Sequence, residues 1–307
     1  MSYTIQQLEL TPDYEGRVVA TLISQAASQP SQSAVLYVHG FIDYFFHDHL
    51  AAKFATSGYS FYALELRKYG RSLLPHQHPN YCRDIREYFE DIDRAIEKVV
   101  EDGNTKLLLM GHSTGGLITS LYASMGRYAG RVDALLLNSP FLEFNVSRCT
   151  RLATLVVSTI CRPFPYANIT GVLSPLYAQS VHRSFKGEWD FNLTWKPIAG
   201  FPSYYRWILA IRNGHKEVKK GLDIKCPILL MHSARSFKPK TWTNDIQRAD
   251  VVLNIEDMKR YGKQLGRHIT FHEVPDGMHD LTLSRKDVRE GVLDKMVEWA
   301  NEVMKPE

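Results

Sequence analysis

Short apolar runs recur along the chain and alternate with segments whose apolar residues have helical spacing. The runs are AVLYVHG, SFYALEL, KLLLMG, ALLLN and PILLMH, and RVVATLIS before them has the alternation of a half-buried strand. Such runs are typical of strands that are buried on both faces of a parallel sheet. The segment DIREYFEDIDRAIEKVVEDG predicts a helix that ends at Gly103, and residues 287–303 repeat that pattern. The alternation predicts an α/β fold with a mostly parallel sheet and helices on both faces.

The stretch from residue 145 to 222 breaks this alternation, because no strand–helix unit is apparent in it. It holds three of the five tryptophans, and eleven Lys or Arg residues against three acidic residues. We interpret it as an inserted, mainly helical lid (cap) over the carboxyl edge of the sheet. The core is then expected to consist of residues 1–144 and 223–307.

Composition and charge limit the classes of function. The chain has 307 residues, 44% of them hydrophobic, as in globular proteins with one large core or two domains. A net charge of +4 does not indicate a nucleic-acid partner. The four cysteines form no CxxC pair, which argues against a metal site or disulfide framework and favours a reducing, cytoplasmic location. The N-terminal residues do not resemble a signal peptide, and the apolar stretch LATLVVSTI is shorter than the about 20 residues that span a bilayer.

The segment LLLMGHSTGG places one hydroxyl between small residues. It matches the pattern G-x-S-x-G with Ser113 at its centre, directly after a buried run and directly before the helical segment GGLITSLYASMG. That context is the one a nucleophile elbow requires. Glycine at positions 111 and 115 avoids collision with neighbouring backbone in so tight a turn. The alternative is a strand–turn–helix with incidental glycines, and the context favours Ser113 as a nucleophile.

A serine nucleophile needs a base, and one of the 12 histidines is distinguished by its position. The segment ITFHEVPDGMHDL predicts a strand, a turn, and then His279 before the last helix. A histidine on the loop after the final strand fits the chain order nucleophile, acid, histidine. His272 within the strand and His112 within the elbow are expected to be structural.

A second glycine motif follows an earlier strand, in VLYVHGF. It directs backbone N–H groups to the carboxyl edge of the sheet, where the serine is also expected. The N–H groups of Phe41 and of Thr114, the residue after the serine, are the expected oxyanion hole. His39 is expected to shape this loop rather than to take part in chemistry.

Four motifs therefore occur in order, namely VLYVHGF, ELRKYGRS, GHSTGG and PDGMHDL. With them the chain resembles, over nearly its whole length, α/β-hydrolases of the serine aminopeptidase, monoacylglycerol lipase and lysophospholipase-like family. The resemblance implies an α/β-hydrolase fold, with the lid where that family carries its cap. Glu65 and Lys68-Tyr69 depart from the family's usual aspartate-arginine-glycine-histidine-glycine loop, which is a structural motif.

The catalytic acid is the main departure from the family pattern. In such proteins the acid follows the strand PILLMH within a few residues, but here the next residues are SARSFKPKTWTN, with no early carboxylate. The candidate carboxylates are Asp245, Asp250, Glu256 and Asp257, with Glu143 after the preceding strand as an alternative. We favour Asp250, because ADVVLNIEDMKRYGKQLG resembles the family's acid loop. An insertion of about a dozen residues would then separate the strand from the acid.

The resemblance implies a serine hydrolase that cleaves carboxylic esters, of monoacylglycerol or lysophospholipid type. Ser113 would attack the acyl carbonyl, His279 would transfer the proton, and Asp250 would hold the imidazole while an acyl-enzyme forms. No metal or cofactor is implied, and the expected partner is a small-molecule acyl ester.

The sequence leaves open what the lid contributes to substrate binding. Its aromatic residues would line an acyl pocket or only pack a small core of their own, and its basic excess would meet an anionic lipid surface or only face solvent. Two other functions also remain open. A serine aminopeptidase would need carboxylates for the substrate amine, and the lid has few. A non-catalytic ligand-binding homologue would keep the cavity and lose the chemistry.

Overall fold

The computed structural model of the protein describes residues 3–304, so the outermost residues of the predicted core, 1–2 and 305–307, lie outside it. Ten β-strands occur in this range: β1 (Thr4–Glu9), β2 (Val19–Gln25), β3 (Ser33–Val38), β4 (Ser60–Glu65), β5 (Lys106–His112), β6 (Ala134–Asn138), β7 (Asn168–Ile169), β8 (Ser203–Tyr204), β9 (Ile228–Ser233) and β10 (Ile269–Val274).

Eight α-helices lie in the same range: α1 (Asp48–Thr56), α2 (Glu87–Glu101), α3 (Thr114–Met125), α4 (Arg148–Ile160), α5 (Pro175–Val181), α6 (Tyr205–Lys220), α7 (Ile255–Gly262) and α8 (Lys286–Val303). The described chain also has short 3-10 helices at Gly70–Ser72, Ala129–Arg131, Asn244–Arg248 and Leu281–Leu283. The predicted helix before Gly103 is α2, and Gly103 has a φ of 87°, as expected for a glycine that ends a helix.

Eight of the described strands form one sheet, in the order β1-β2-β4-β3-β5-β6-β9-β10. The strands from β4 to β10 in this order are parallel, whereas β2 is antiparallel to both β1 and β4. Every residue of β6 and β9 is buried. The near-continuous apolar runs therefore arise because helices cover both faces of these strands.

Apolar side chains fill both faces of the sheet. On one face the core includes Ile96 of α2 and Leu121 of α3. On the other face it includes Phe54 of α1 and Met296 of α8. This confirms the predicted mostly parallel sheet with helices on both faces.

The sequence between β6 and β9 leaves the sheet, because these two strands pair directly with each other. It contains α4, α5 and α6, together with the antiparallel pair β7 and β8. Helix α6 packs against both α4 and α3. Helices are the main regular elements of this segment, although they make up less than half of it, and α4 and α6 begin and end within three residues of the predicted limits 145 and 222. The division into core and lid stays a prediction.

Candidate active site

Ser113 lies in a sharp turn between the end of β5 and the start of α3. Its φ of 51° and ψ of −116° form a backbone conformation that non-glycine residues rarely adopt and that is typical of strained functional positions. A Cβ atom at Gly111 would lie 2.6 Å from the carbonyl oxygen of Gly115, and a Cβ at Gly115 would collide with the carbonyl oxygen of Val38. The two glycines of the motif are therefore required by the close approach of neighbouring backbone.

Three predicted site residues form one hydrogen-bonded chain. His279 Nε2 lies 3.0 Å from Ser113 Oγ, and His279 Nδ1 lies 2.8 Å from Asp250 Oδ2. The other carboxylate oxygen, Oδ1, accepts hydrogen bonds from the backbone N–H groups of Val252 (2.8 Å) and Leu253 (2.7 Å). All three side chains are buried. The two backbone donors fix the carboxylate, so its free oxygen faces the imidazole.

The segment before Asp250 is an excursion that returns to the edge of the sheet. Strand β9 ends at Ser233, and the chain leaves it and comes back so that Asp250 pairs with Ser236 in a parallel bridge. The backbone N–H of Phe237 donates to Asp250 O (2.9 Å), and Asp250 N–H donates to Arg235 O (3.0 Å). Residues inserted between these points therefore leave Asp250 next to the strand end.

Glu143, the alternative acid of the sequence analysis, has its hydrogen bonds elsewhere. Its Oε2 accepts from Arg151 Nη1 at 2.7 Å and also from Lys219 Nζ, and its Oε1 accepts from the backbone N–H of Phe144. Burial raises the pKa of this carboxyl, but Lys219 and the other donors outweigh burial, and the pKa lies below its usual value. Glu143 thus joins α4 and α6 to the end of β6, and Asp250 is the carboxylate on His279 Nδ1.

The loop after β3 brings a second set of backbone groups to the serine. Phe41 and Thr114 both line the cavity that contains Ser113, and a Cβ at Gly40 would lie 3.1 Å from the Ser113 Cβ. His39 Nε2 accepts from the backbone N–H of Leu66 (3.1 Å), so its Nδ1 donates to Gly40 O (2.8 Å). The imidazole therefore holds the loop, which agrees with the shaping role expected for it.

A cavity of about 370 Å³ opens at Ser113. Its apolar lining includes Phe41, Phe141, Leu173, Leu176, Ile198 and Trp207. Trp207 stacks on Phe41, with ring centroids 4.0 Å apart. Trp189 and Trp195 instead pack in a separate small cluster with Tyr44. Of the three tryptophans in the predicted lid, Trp207 therefore lines the cavity and Trp189 and Trp195 do not.

One ion pair also lines the cavity. Lys196 Nζ donates to Asp43 Oδ1 at 2.6 Å, and both side chains are buried. Burial raises the pKa of Asp43, but Lys196 and nearby histidines outweigh it, so the pKa lies below its usual value. Among the described residues, ligand atoms of Asp43, His47 and Asp280 lie within 4.8 Å of one another. A metal ion there would compete with the Lys196 ammonium for Asp43, so these residues fit a protein ion pair better than a metal.

A polar network behind His279 was not predicted from the sequence. Asp280 is fully buried and accepts from Asn138 Nδ2 (2.8 Å), from the N–H and hydroxyl of Thr282, and from His47 Nε2 (3.0 Å). Burial raises the pKa of Asp280, but His112 and His47 outweigh it and hold the pKa well below its usual range. Burial lowers the pKa of His112 to about 4, so this imidazole is neutral near pH 7. The only signal in the sequence was a polar residue, Asn138, at the end of an apolar strand.

Comparison with known proteins identifies the family of this chain. Residues 29–285 match the model of the family described as serine aminopeptidase, S33. A monoacylglycerol lipase of Mycolicibacterium smegmatis is 32% identical over 112 residues, a match that covers 36% of this chain and 38% of that relative. A monoglyceride lipase of Saccharomyces cerevisiae is 22% identical over 68% of this chain and 69% of its own length.

A solved structure has the same fold. It is a soluble variant of the Saccharomyces cerevisiae monoglyceride lipase in complex with a substrate analogue, with a TM-score of 0.73 and 15% identity over 98% of this chain and 96% of that one. The match confirms the α/β-hydrolase fold expected from the four motifs. The chain belongs to the serine aminopeptidase S33 family of α/β-hydrolases.

Proposed function

We propose that this protein is a serine ester hydrolase whose catalytic triad is Ser113, His279 and Asp250. The observation that carries the proposal is the chain of hydrogen bonds from Ser113 Oγ through both imidazole nitrogens to Asp250. Asp250 selects the tautomer with the proton on Nδ1, which leaves Nε2 free to accept the serine proton. Such an arrangement activates an otherwise weak nucleophile.

The steps follow from these positions. Ser113 Oγ bonds to the acyl carbon while its proton passes to His279 Nε2, and the carbonyl electron pair moves to oxygen. The bond from carbon to the alcohol oxygen then breaks, and that oxygen takes the proton from Nε2. Water attacks the acyl-enzyme with Nε2 as base, and the proton returns to Ser113 as the acid leaves.

The oxyanion hole in this proposal consists of the backbone N–H groups of Phe41 and Thr114. Thr114 is the first residue of α3, so its N–H has no partner within the helix and lies at the positive end of the helix dipole. Phe41 is held in place by its stack on Trp207. Fixed donors of this kind stabilise developing negative charge by several kcal/mol, on the order of 2.7–4 kcal/mol each.

We propose acyl esters of monoacylglycerol or lysophospholipid type as substrates. The apolar lining of the cavity supports a hydrocarbon chain, and two relatives are named as monoacylglycerol or monoglyceride lipases. Aminopeptidase activity is less well supported. A substrate ammonium would need a free carboxylate in the cavity, and Asp43 is bonded to Lys196. The intact hydrogen-bonded triad speaks against a non-catalytic ligand-binding protein.

We also propose that the predicted lid (residues 145–222) contacts anionic lipid surfaces transiently. Exposed apolar side chains are concentrated there, among them Leu152, Ile160 and Phe164, and the segment carries an excess of basic residues. Every helix within residues 3–304 is too short or too polar to cross a membrane. Replacing Ile160 and Phe164 by serine should reduce sedimentation with phosphatidylglycerol vesicles, and unchanged sedimentation would contradict the contact.

The site is tested by labelling and by a substrate panel. Wild-type protein should react with a fluorophosphonate probe and hydrolyse p-nitrophenyl butyrate, whereas Ser113→Ala should do neither and should lose about a millionfold in turnover. The panel should include monoacylglycerols, lysophosphatidylcholine and an aminoacyl anilide. Hydrolysis of the anilide alone would favour the aminopeptidase, and labelling without any hydrolysis would favour a binding protein.

A further inference from the structure

Asn138 connects the nucleophile to the loop that carries the base. It is the last residue of β6 and is fully buried. Its backbone oxygen accepts from the N–H of Ser113 (3.0 Å) and lies 3.1 Å from Nδ1 of His112. The main chain of Asn138 therefore holds the nucleophile turn against the end of β6.

The side chain of the same residue reaches the base. Its Oδ1 accepts from the backbone N–H of Leu281 (3.2 Å), and its Nδ2 donates to Asp280 Oδ1 (2.8 Å). The amide orientation follows from these partners, because an N–H donor and a carboxylate acceptor face opposite ends of the group. Asp280 and Leu281 directly follow His279, so one amide fixes the carboxyl side of the histidine loop.

The loop needs such a contact. His279 follows β10 on a connecting segment rather than on a helix or strand, and the Ser113–His279 hydrogen bond depends on where that segment lies. Met278 N–H donates to Ser284 Oγ (2.9 Å) on the other side of the histidine. Asp250 fixes the ring itself through Nδ1. A displacement of about 1 Å at a reacting group can cost on the order of a hundredfold in rate.

We propose that Asn138 is a positioning residue that holds the nucleophile turn and the base loop in register through its backbone oxygen and its side-chain amide. It acts through Ser113 and His279 and does not itself contact substrate. The inference rests on the proposed ester hydrolase function. It assigns a catalytic consequence to a buried amide that packing alone does not require.

The first test is Asn138→Ser, which keeps the backbone carbonyl and removes the reach to Asp280 and Leu281. We expect kcat for p-nitrophenyl butyrate to fall by about 10- to 100-fold, with KM within about twofold, because the acyl pocket is untouched. Asn104→Ser is the matched control. Asn104 is also buried and donates to Tyr62 Oη and Val99 O, and it lies just before the start of β5, whereas Ser113 follows the end of that strand. It should lower the melting temperature and leave kcat unchanged.

The second test exchanges the partners. Asn138→Asp places two carboxylates against each other, and Asp280→Asn replaces the carboxylate acceptor by a neutral amide, whereas the double variant restores an amide–carboxylate hydrogen bond of reversed direction. We expect the double variant to have at least tenfold higher kcat than Asn138→Asp. The proposal would be overturned if the losses in kcat of the two single variants multiplied in the double variant without any recovery, in proteins that still unfold cooperatively. Full kcat in Asn138→Ser would overturn it as well. If wild-type protein hydrolyses no ester, the proposed function fails instead, so the two failures are distinguishable.

Discussion

At the scale of single residues, the imidazole of His279 is fixed by parts of the chain that are far apart in sequence. Asp250 contacts Nδ1 from the segment after β9, and Ser113 contacts Nε2 from the turn after β5. Asp250 Oδ1 is already used by two backbone N–H groups. Within residues 3–304 the carboxylate therefore has one orientation and one partner among the titratable side chains, which supports the proposed role of Asp250 in selecting a tautomer.

We predict that Asp250→Asn lowers turnover by about ten-thousandfold, because an amide at this position favours the wrong tautomer of His279. Asp245→Asn is the matched control, since Asp245 is exposed and paired with Arg235. It should keep turnover within about tenfold. Steady-state kinetics with p-nitrophenyl butyrate measure both. If Asp250→Asn were active and Glu143→Gln inactive, Glu143 would be the catalytic acid instead of Asp250.

The buried ion pair between Lys196 and Asp43 in the cavity leads to a second prediction at this scale. Lys196→Met should lower the free energy of unfolding by about 3–5 kcal/mol at pH 7.5, because it leaves the buried Asp43 carboxylate without its partner. The pKa of Asp43 lies below its usual value in the wild type, so the pair stabilises the fold above the unfolded-state pKa, and this stabilisation is lost as the pH falls. The difference between variant and wild type should therefore shrink towards pH 4.

Urea denaturation at pH 7.5, 6 and 5 measures this difference. The double variant Lys196→Met with Asp43→Asn is the control, because it removes the unpaired charge and should regain part of the lost stability. A difference that grows on acidification would show that Asp43 is not the group left unpaired.

Residues were predictable to the extent that their chemistry is encoded locally. Ser113 was predictable, because its turn requires a glycine two positions before it and two positions after it. Asp250 required a family resemblance, because a bridge to Ser236 replaces the usual short loop. Asn138 and Lys196 could not be predicted. Their partners, Asp280 and Asp43, are distant in sequence, and the sheet and the lid segment bring them together.

At the scale of elements, the turn between β5 and α3 tolerates almost no added volume. We predict that Gly115→Ala destabilises the protein by about 1–3 kcal/mol or more, because its Cβ would overlap the backbone oxygen of Val38 and no flexible side chain can yield. Gly130→Ala is the control, since a Cβ there meets nothing within 4 Å. Thermal unfolding of both variants tests this, and equal melting temperatures would contradict the crowding.

Elements were predictable where burial imposes a pattern. The apolar runs predicted β3, β4, β5, β6 and β9 because these strands are covered on both faces. Strand β1 (TIQQLE) was missed, since it is mostly exposed and pairs only with β2 at the edge of the sheet. The region from α4 to α6 was recognised only as a break in the alternation. Its short elements pack against one another and around the site at Ser113. Such contacts produce no periodic pattern in the sequence.

At the scale of the whole molecule, buried histidines link folding to pH. Burial lowers the pKa of four of them to about 4: His39, His49, His112 and His215. These imidazoles stay neutral in the folded protein over a range in which the unfolded chain, with histidine pKa values near 6.5, takes up protons. Burial raises the pKa of Asp91 to about 6, so this carboxyl takes up a proton at a higher pH in the folded protein than in the unfolded chain. Asp91 therefore offsets the extra proton uptake of about one of these histidines.

We therefore predict that the free energy of unfolding falls as the pH decreases from about 6.5 to 4. The unfolded state binds more protons there, and each excess proton lowers stability by about 1.4 kcal/mol per pH unit. The stability that depends on these imidazoles staying neutral is fully present above pH 6.5 and is lost below about pH 4. Urea denaturation at half-unit intervals gives the slope. His215→Asn removes one such group, whose Nε2 donates to Phe141 O, and should lower the slope by about one proton. A stability that is flat or rises from pH 6.5 to 4.5 would mean that these imidazoles reach solvent.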